Sequence, residues 1–215
     1  MKSWEITYKR GIQINNTQFP EQFVVKFFYS PVFRDLHARR DMRLLDIGSG
    51  YGRNISLFQS FTKNITCIDP SKEAVAFVEK THKVRAKTFT PPNIPLREKF
   101  DVLVACNSLY YLNRKMVFRD YFQEVVNLIA DGGLFICSFI GEKHSILQGS
   151  KKCEGHTVLL RNNKPKFENR IDQKIFLPPD SYDFNRYGIK IVSKGEVMDT
   201  FDGETRHLKV FLFGR

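Results

Sequence analysis

Cysteine is scarce, with four in 215 residues. Three of these, Cys67, Cys106 and Cys137, sit inside apolar, strand-like runs, and the chain has no C-x-x-C pair. That spacing argues against a disulfide framework or a zinc site, and for small buried side chains in a reducing compartment. No metal is expected. Long hydrophobic runs are missing as well: the longest, Leu134 to Ile140, is interrupted by Ser138, far short of the roughly 20 residues that cross a bilayer. The first eleven residues mix Lys2, Glu5, Lys9 and Arg10 with few apolar side chains and lack the apolar stretch of an export signal. A cytoplasmic protein without membrane insertion is expected. Internal repeats and low-complexity tracts are absent.

Acidic groups are also in deficit, 23 against 34 Lys and Arg, for a net charge of +11. The excess avoids the middle of the chain. Residues 1–43 carry 8 basic and 4 acidic groups and residues 142–195 carry 11 and 6, whereas residues 44–141 are closer to balance at 12 and 9. A basic surface steers anionic ligands, whether a nucleotide-linked sugar, a phosphorylated metabolite or RNA. With 42% hydrophobic and 27% charged residues the chain is globular, and its length suits one domain.

Short apolar runs alternate with segments of helical period, the pattern of a parallel sheet with crossover helices. Strands are expected at Arg43–Ile47, Ile65–Ile68, Val84–Phe89, Val102–Cys106 and Leu134–Phe139, with Ile189–Ser193 and His207–Phe213 completing the sheet. Ile55, Phe58 and Phe61 repeat at helical spacing, as do Ala74 and Val78. Val117, Tyr121, Val125 and Ile129 keep a four-residue interval. Ser71 is placed to cap the second of these helices, and Gly132 with Gly133 to stop the third. The expected division is an N-terminal cap (1–40), a core (41–141), a polar, irregular cap region (142–188) and closing strands (189–215).

The most informative segment is Leu44-Leu45-Asp46-Ile47-Gly48-Ser49-Gly50-Tyr51-Gly52-Arg53-Asn54, an apolar strand entering glycines and then a helix. Glycines at such a junction let the backbone approach a ligand closely and present N–H groups to it. A Walker loop is excluded because no Gly-Lys-Ser/Thr follows, and a nicotinamide fingerprint because Arg53 holds its third glycine position. The spacing is G-x-G-x-G. Asp69 ends the next strand, 21 residues after Gly48, where a carboxylate can accept from both ribose hydroxyls.

These residues resemble the class I S-adenosylmethionine-dependent methyltransferases over roughly residues 40–141. The resemblance continues through Phe100-Asp101-Val102-Leu103-Val104-Ala105-Cys106-Asn107 and Asp131-Gly132-Gly133-Leu134-Phe135. It implies a Rossmann-like, doubly wound α/β fold: a seven-stranded, mostly parallel sheet with an antiparallel last strand and a helical N-terminal cap. It also implies S-adenosyl-L-methionine as cofactor, held by Asp46, Gly48, Ser49, Gly50, Gly52, Asp69, Pro70 and Asn107. The Gly-Arg-Asn ending is similar to that of small tellurite-resistance-type methyltransferases, where an arginine such as Arg53 meets the cofactor carboxylate. Thr88-Phe89-Thr90 stands where the family often has an acid that contacts adenine.

The sulfonium makes the methyl group electrophilic, so the protein mainly aligns an acceptor. An alcohol acceptor needs proton removal during attack, and an amine does not. The carboxyl ends of the strands place Asn107, Ser108, Tyr110 and Tyr111 after one strand and His144 after another. His144 is the expected base, with Tyr110 as the second catalytic group and Tyr8, Arg10, Tyr111 and His156 as acceptor contacts. Cys106-Asn107-Ser108-Leu109 is not the Asn/Asp-Pro-Pro-aromatic tetrapeptide of adenine amino methyltransferases. The leader Trp4 to Gly11 with Phe19 to Phe27 is similar to those of surface-polysaccharide methyltransferases. A small anionic acceptor is therefore expected: a nucleotide-linked sugar, a sugar phosphate or a phosphate-bearing capsule precursor, methylated on oxygen, with Arg161, Lys164 and Lys166 near its charge. A tRNA or rRNA methyltransferase and a non-catalytic cofactor-binding partner subunit are the alternatives.

Overall fold

The computed structural model describes residues 19–37, 39, 41–113, 116–161 and 173–215. Tyr8, Arg10, Lys164, Lys166 and the leader from Trp4 to Gly11 lie outside the described residues. In chain order the elements are α1 (Gln22–Phe28), α2 (Arg34–His37), β1 (Arg43–Ile47), α3 (Ile55–Gln59), β2 (Asn64–Asp69), α4 (Lys72–His82), β3 (Arg85–Thr88), β4 (Phe100–Ala105) and β5 (Tyr111–Leu112). There follow α5 (Phe118–Val126), β6 (Ile129–Ile140), β7 (Lys151–Cys153), β8 (Thr157–Leu159), β9 (Lys174–Phe176), β10 (Lys190–Phe201) and β11 (Glu204–Gly214).

Seven strands form one sheet in the order β10-β11-β6-β4-β1-β2-β3. β1, β2, β3, β4 and β6 run parallel, and β11 lies antiparallel between β6 and β10. This is the doubly wound sheet with an antiparallel end. The central strands read as continuous apolar runs because helices cover both faces: Leu44, Leu45 and Ile47 of β1 are fully buried, as are Val102, Leu103 and Val104 of β4. Strand order reverses between β1 and β4, which puts a crevice beyond their carboxyl ends.

The helices end where their chemistry says. Ser71 caps α4, its Oγ accepting from Ala74 N at 3.3 Å. Two expectations are corrected. The third helix stops at Val126, and Ile129, in step with its apolar spacing, instead pairs with Phe100 as the first residue of β6. Gly132 and Gly133 therefore do not stop the helix but lie within β6. There Gly132 has φ +72°, and a Cβ on Gly133 would meet the Ala130 carbonyl at 2.8 Å. The segment expected to be irregular supplies three strands of a second, antiparallel sheet in the order β5-β9-β8-β7, with β5 coming from the turn region after β4. It is fastened to the main body by stacked rings: Phe118 of α5 lies on Phe176 of β9 at 3.6 Å and 7°.

Candidate functional site

The loop after β1 is fixed by backbone bonds into β2. Gly48 N and Ser49 N both donate to Ile68 O, and Gly50 N donates to Asp69 Oδ2 at 2.9 Å. Gly48, Gly50 and Gly52 have φ of +72°, +54° and +77°, a region that costs other residues about 1–3 kcal/mol. Protein occupies the space a side chain would need. A Cβ on Gly48 would sit 2.3 Å from Ser108 Cβ, and one on Gly52 would meet Ile55 and the His82 ring. The helix after the loop is short and begins only at Ile55, and the N–H groups of Gly48, Ser49, Gly50 and Gly52 are all taken up by protein acceptors.

Asp69 is 2% exposed at the end of β2. Its Oδ1 accepts from Ser71 N at 2.8 Å while Oδ2 holds Gly50 N, and these bonds orient the carboxylate beside the glycine loop. Pro70 links it to the cap of α4. Asp46, equally buried in β1, has its carboxyl pushed up to about 7, mainly by burial and further by the charge on Asp69. Two buried acids this close, one of them held toward its neutral form by burial and by the other's charge, would be relieved by a cationic ligand beside them. The Ser49 hydroxyl is buried beside the Cys67 thiol without a hydrogen bond of ordinary geometry. A buried hydroxyl in that state wants a partner. A buried hydroxyl in want of a partner and two neighbouring acids together fit S-adenosylmethionine, which carries ribose hydroxyls and a sulfonium.

Arg53 is held by partners within the protein. Its Nη1 donates to Glu21 Oε1 at 2.5 Å, and its other nitrogens reach Phe19 O. Glu21, 4% exposed, is held on the other side by Arg206 Nη2 of β11 at 2.7 Å. Its backbone N–H donates to Asn54 Oδ1, and Asn107 Nδ2 reaches Oε1 at 3.4 Å. Asn107 has a left-handed φ of +55° just past β4, and its backbone N–H donates to Ser138 Oγ at 2.8 Å. Burial opposes the charge on Arg206, but the Glu21 carboxylate, with Asp199 beyond it, outweighs that and raises its affinity for the proton. One buried carboxylate thus ties the N-terminal helix, the glycine loop, the turn after β4 and the last strand together. Sequence reasoning missed Glu21, Arg206, Asn54 and Ser138. Only an acid directly ahead of an apolar helix pointed to the first, and nothing local to the others.

The acceptor-side residues scatter more widely. Tyr110 is buried against Tyr111, ring centroids 4.4 Å apart, and its carbonyl accepts from Phe176 N. Tyr111 pairs with Ile175 in the small sheet. His144 follows β6, half-buried, with Nδ1 accepting from Ile146 N at 3.2 Å. In the neutral ring the proton therefore sits on Nε2. His156 is exposed in the turn between β7 and β8 with its ring edge toward Tyr182, and Arg161 is exposed just past β8. A surface hollow of about 730 Å³ lined by Arg43, Asn64 and Arg85 lies at the amino ends of β1 to β3, opposite the crevice.

Residues 45–135 match the family model described as a methyltransferase domain. An uncharacterized methyltransferase of Staphylococcus carnosus is 22% identical over 147 residues, 68% of this chain and 70% of the relative. A Clostridium acetobutylicum S-adenosylmethionine-dependent methyltransferase superposes with a TM-score of 0.63 at 15% identity, over 99% of this chain and 98% of that one. The Burkholderia thailandensis 1,6-didemethyltoxoflavin-N1-methyltransferase, solved with S-adenosylhomocysteine, gives 0.66 at 15% identity, over 100% and 86%. At such identity the two solved structures establish the fold. Among the described residues no helix is long and apolar enough to cross a membrane.

Proposed function

We infer that the chain is an enzyme, an S-adenosylmethionine-dependent methyltransferase built on the methyltransferase domain of residues 45–135. The observation that carries the site reading is the Gly50–Asp69 tie, which holds a buried carboxylate where a ribose would lie against the glycine loop. Gly48, Ser49, Gly50 and Gly52 line the turn, Asp69 and Pro70 take the ribose side, and Asp46 with Asn107 flanks the amino-acid end. Bound there, S-adenosylmethionine supplies a methyl group on a positively charged sulfur, ready for in-line attack. Asp46 and Asp69 compensate that cation. Arg53 turns to the cofactor carboxylate at the expense of its bond to Glu21.

The proposed acceptor is small and anionic, a nucleotide-linked sugar, sugar phosphate or phosphate-bearing capsule precursor, methylated on oxygen. Two features support this. The positive excess lies in the flanks rather than the core, with Lys143, Lys151, Lys152 and Arg161 exposed on the cap region. The similar structure from Burkholderia is named for methylation at N1 of 1,6-didemethyltoxoflavin, which supports a small acceptor but neither its charge nor transfer to oxygen. Tyr110 and Tyr111 border the acceptor side, with His156 at its outer rim. Base action by His144 requires it to give up the Ile146 bond, about 1 kcal/mol, so the reaction rests more on alignment and exclusion of water than on proton removal. The same basic cap favours RNA as the second reading. RNA binding would weaken steeply with salt and a metabolite's only gently.

Asp69→Ala is expected to weaken S-adenosylmethionine binding by about 1–3 kcal/mol, roughly tenfold to a hundredfold, through lost charge-assisted hydrogen bonds. Calorimetry on the purified chain reads this directly, and unchanged affinity refutes the assignment. Labelled cofactor offered with nucleotide sugars, phosphorylated metabolites and total RNA identifies the acceptor class.

A further inference from the structure

The two edges of the large sheet are unlike. β3 at one end is four residues long and carries Arg85 and Lys87, the short, charged kind of edge that discourages pairing. β10 at the other end is twelve residues long, contains no proline, and is exposed along its whole length save the half-buried Val197. Ile191, Val192, Met198 and Phe201 are 41%, 45%, 57% and 78% exposed. Such a strand turns a row of backbone N–H and C=O groups outward, a template for another strand, and among the described residues none lies beyond it.

Its charges flank its midpoint: Lys194 directly precedes Gly195 and Glu196 directly follows it. Lysines normally repel an incoming strand, but an antiparallel copy of β10 centred on Gly195 brings Glu196 to meet Lys194. We propose that two copies of this chain join edge to edge, β10 against β10, antiparallel about a two-fold axis at Gly195. Lys194 then faces Glu196 of the partner subunit, a pair that occurs twice by symmetry and lies in the regular part of β10, beyond its irregularity at Ile191–Ser193. Opposite charges directly across an antiparallel pair stabilise it. Gly195 at the axis has no side chain, and a Cβ there would meet only Val210, at 3.7 Å, so the two backbones approach without hindrance. A two-fold interface of this kind is isologous and closes at the dimer, and the blunt β3 edge stops further growth.

The register makes the test sharp. Light scattering on the full chain at tens of micromolar should give twice the 25.1 kDa chain mass. Glu196→Lys alone and Lys194→Glu alone each set like charges across the axis and should give monomers with unchanged circular dichroism. The double variant K194E/E196K restores opposite charges and should restore the dimer. Mild oxidation of Gly195→Cys should yield a covalent dimer, since only the residue on the axis meets its own copy. A monomeric parent chain, a double variant that stays monomeric, or crosslinking no faster at Gly195→Cys than at an exposed control such as Asp183→Cys would each overturn the proposal.

Discussion

The two ends of the crevice are built by different physics. On the cofactor side, conformation is set by backbone: Gly48, Ser49 and Gly50 bond into β2, three glycines sit at positive φ, and two carboxylates are buried with them. On the acceptor side a small sheet is held by rings, Phe118 on Phe176 and Tyr182 against both Phe176 and Phe184, beneath an exposed rim of lysines and arginine. In the first, the loop N–H groups and the Asp69 carboxylate are fixed by main-chain hydrogen bonds. The second is a packed floor whose exposed face can vary without disturbing what lies under it. The largest expected effect tests that separation. Phe176→Ala removes the stacked ring and should cost about 3–5 kcal/mol of stability, while S-adenosylmethionine affinity measured well below the melting temperature stays as in the parent chain. A matching loss of cofactor affinity would show that the two ends are one unit.

A second effect, of about 4 kcal/mol, belongs to the cofactor side alone. Asp46 is raised from 3.8 to about 7, so the folded chain holds its proton where the unfolded chain releases it. The native state therefore binds more protons than the unfolded state between about pH 4 and pH 7, and stability falls as pH rises through that window. Three pH units at about 1.4 kcal/mol each set the size. Asp46→Asn should abolish this contribution, so that urea unfolding gives a variant more stable than the parent at pH 8 and little different at pH 4. Binding runs the other way. A cation prefers the ionised Asp46, so parent affinity for S-adenosylmethionine should climb through pH 7 and the variant's should not. Equal stability of the two proteins at pH 8 would remove Asp46 from this role.

How much of this was legible follows the range of the interactions. β1 begins and ends at Arg43 and Ile47 as the sequence predicts, because a fully buried strand announces itself by an unbroken apolar run, and Ser71 caps α4 through a bond three residues long. The glycine loop and Asp69 were readable for the same reason, each being a local pattern with a steric cause. Ile129 misled because four-residue spacing is common to a helix face and to a chance apolar residue at the start of a strand; its pairing with Phe100 decides the matter. The tie that holds Arg53 was not legible because its partner, Glu21, lies 32 residues away, and Glu21 meets Asn107 across 86. No window along the chain contains such contacts. The small sheet was missed because three-residue strands carry too few alternations to be told from a polar loop.

Glu21 is the place where the division between the two ends fails, and it gives the smallest expected effect. Its carboxylate joins Arg53 of the glycine loop to Arg206 of β11, so the loop proposed to hold the cofactor and the last strand of the large sheet share one counter-charge. Glu21→Gln keeps the shape and removes the charge. Two guanidiniums lose a charge-assisted bond, but Arg53 and Arg206 are a third exposed or more, so water compensates in part and the net cost should be about 1–2 kcal/mol. In a chain of this size that lowers the melting temperature by roughly 2–8 °C. Binding separates a merely structural tie from a competing one. Arg53 released from Glu21 is free to meet the cofactor carboxylate, so KM for S-adenosylmethionine should fall about twofold to fivefold while kcat changes little. A raised KM would mean that Glu21 presents Arg53 to the cofactor rather than withholding it, and the two ends of the crevice would then be coupled through a single side chain.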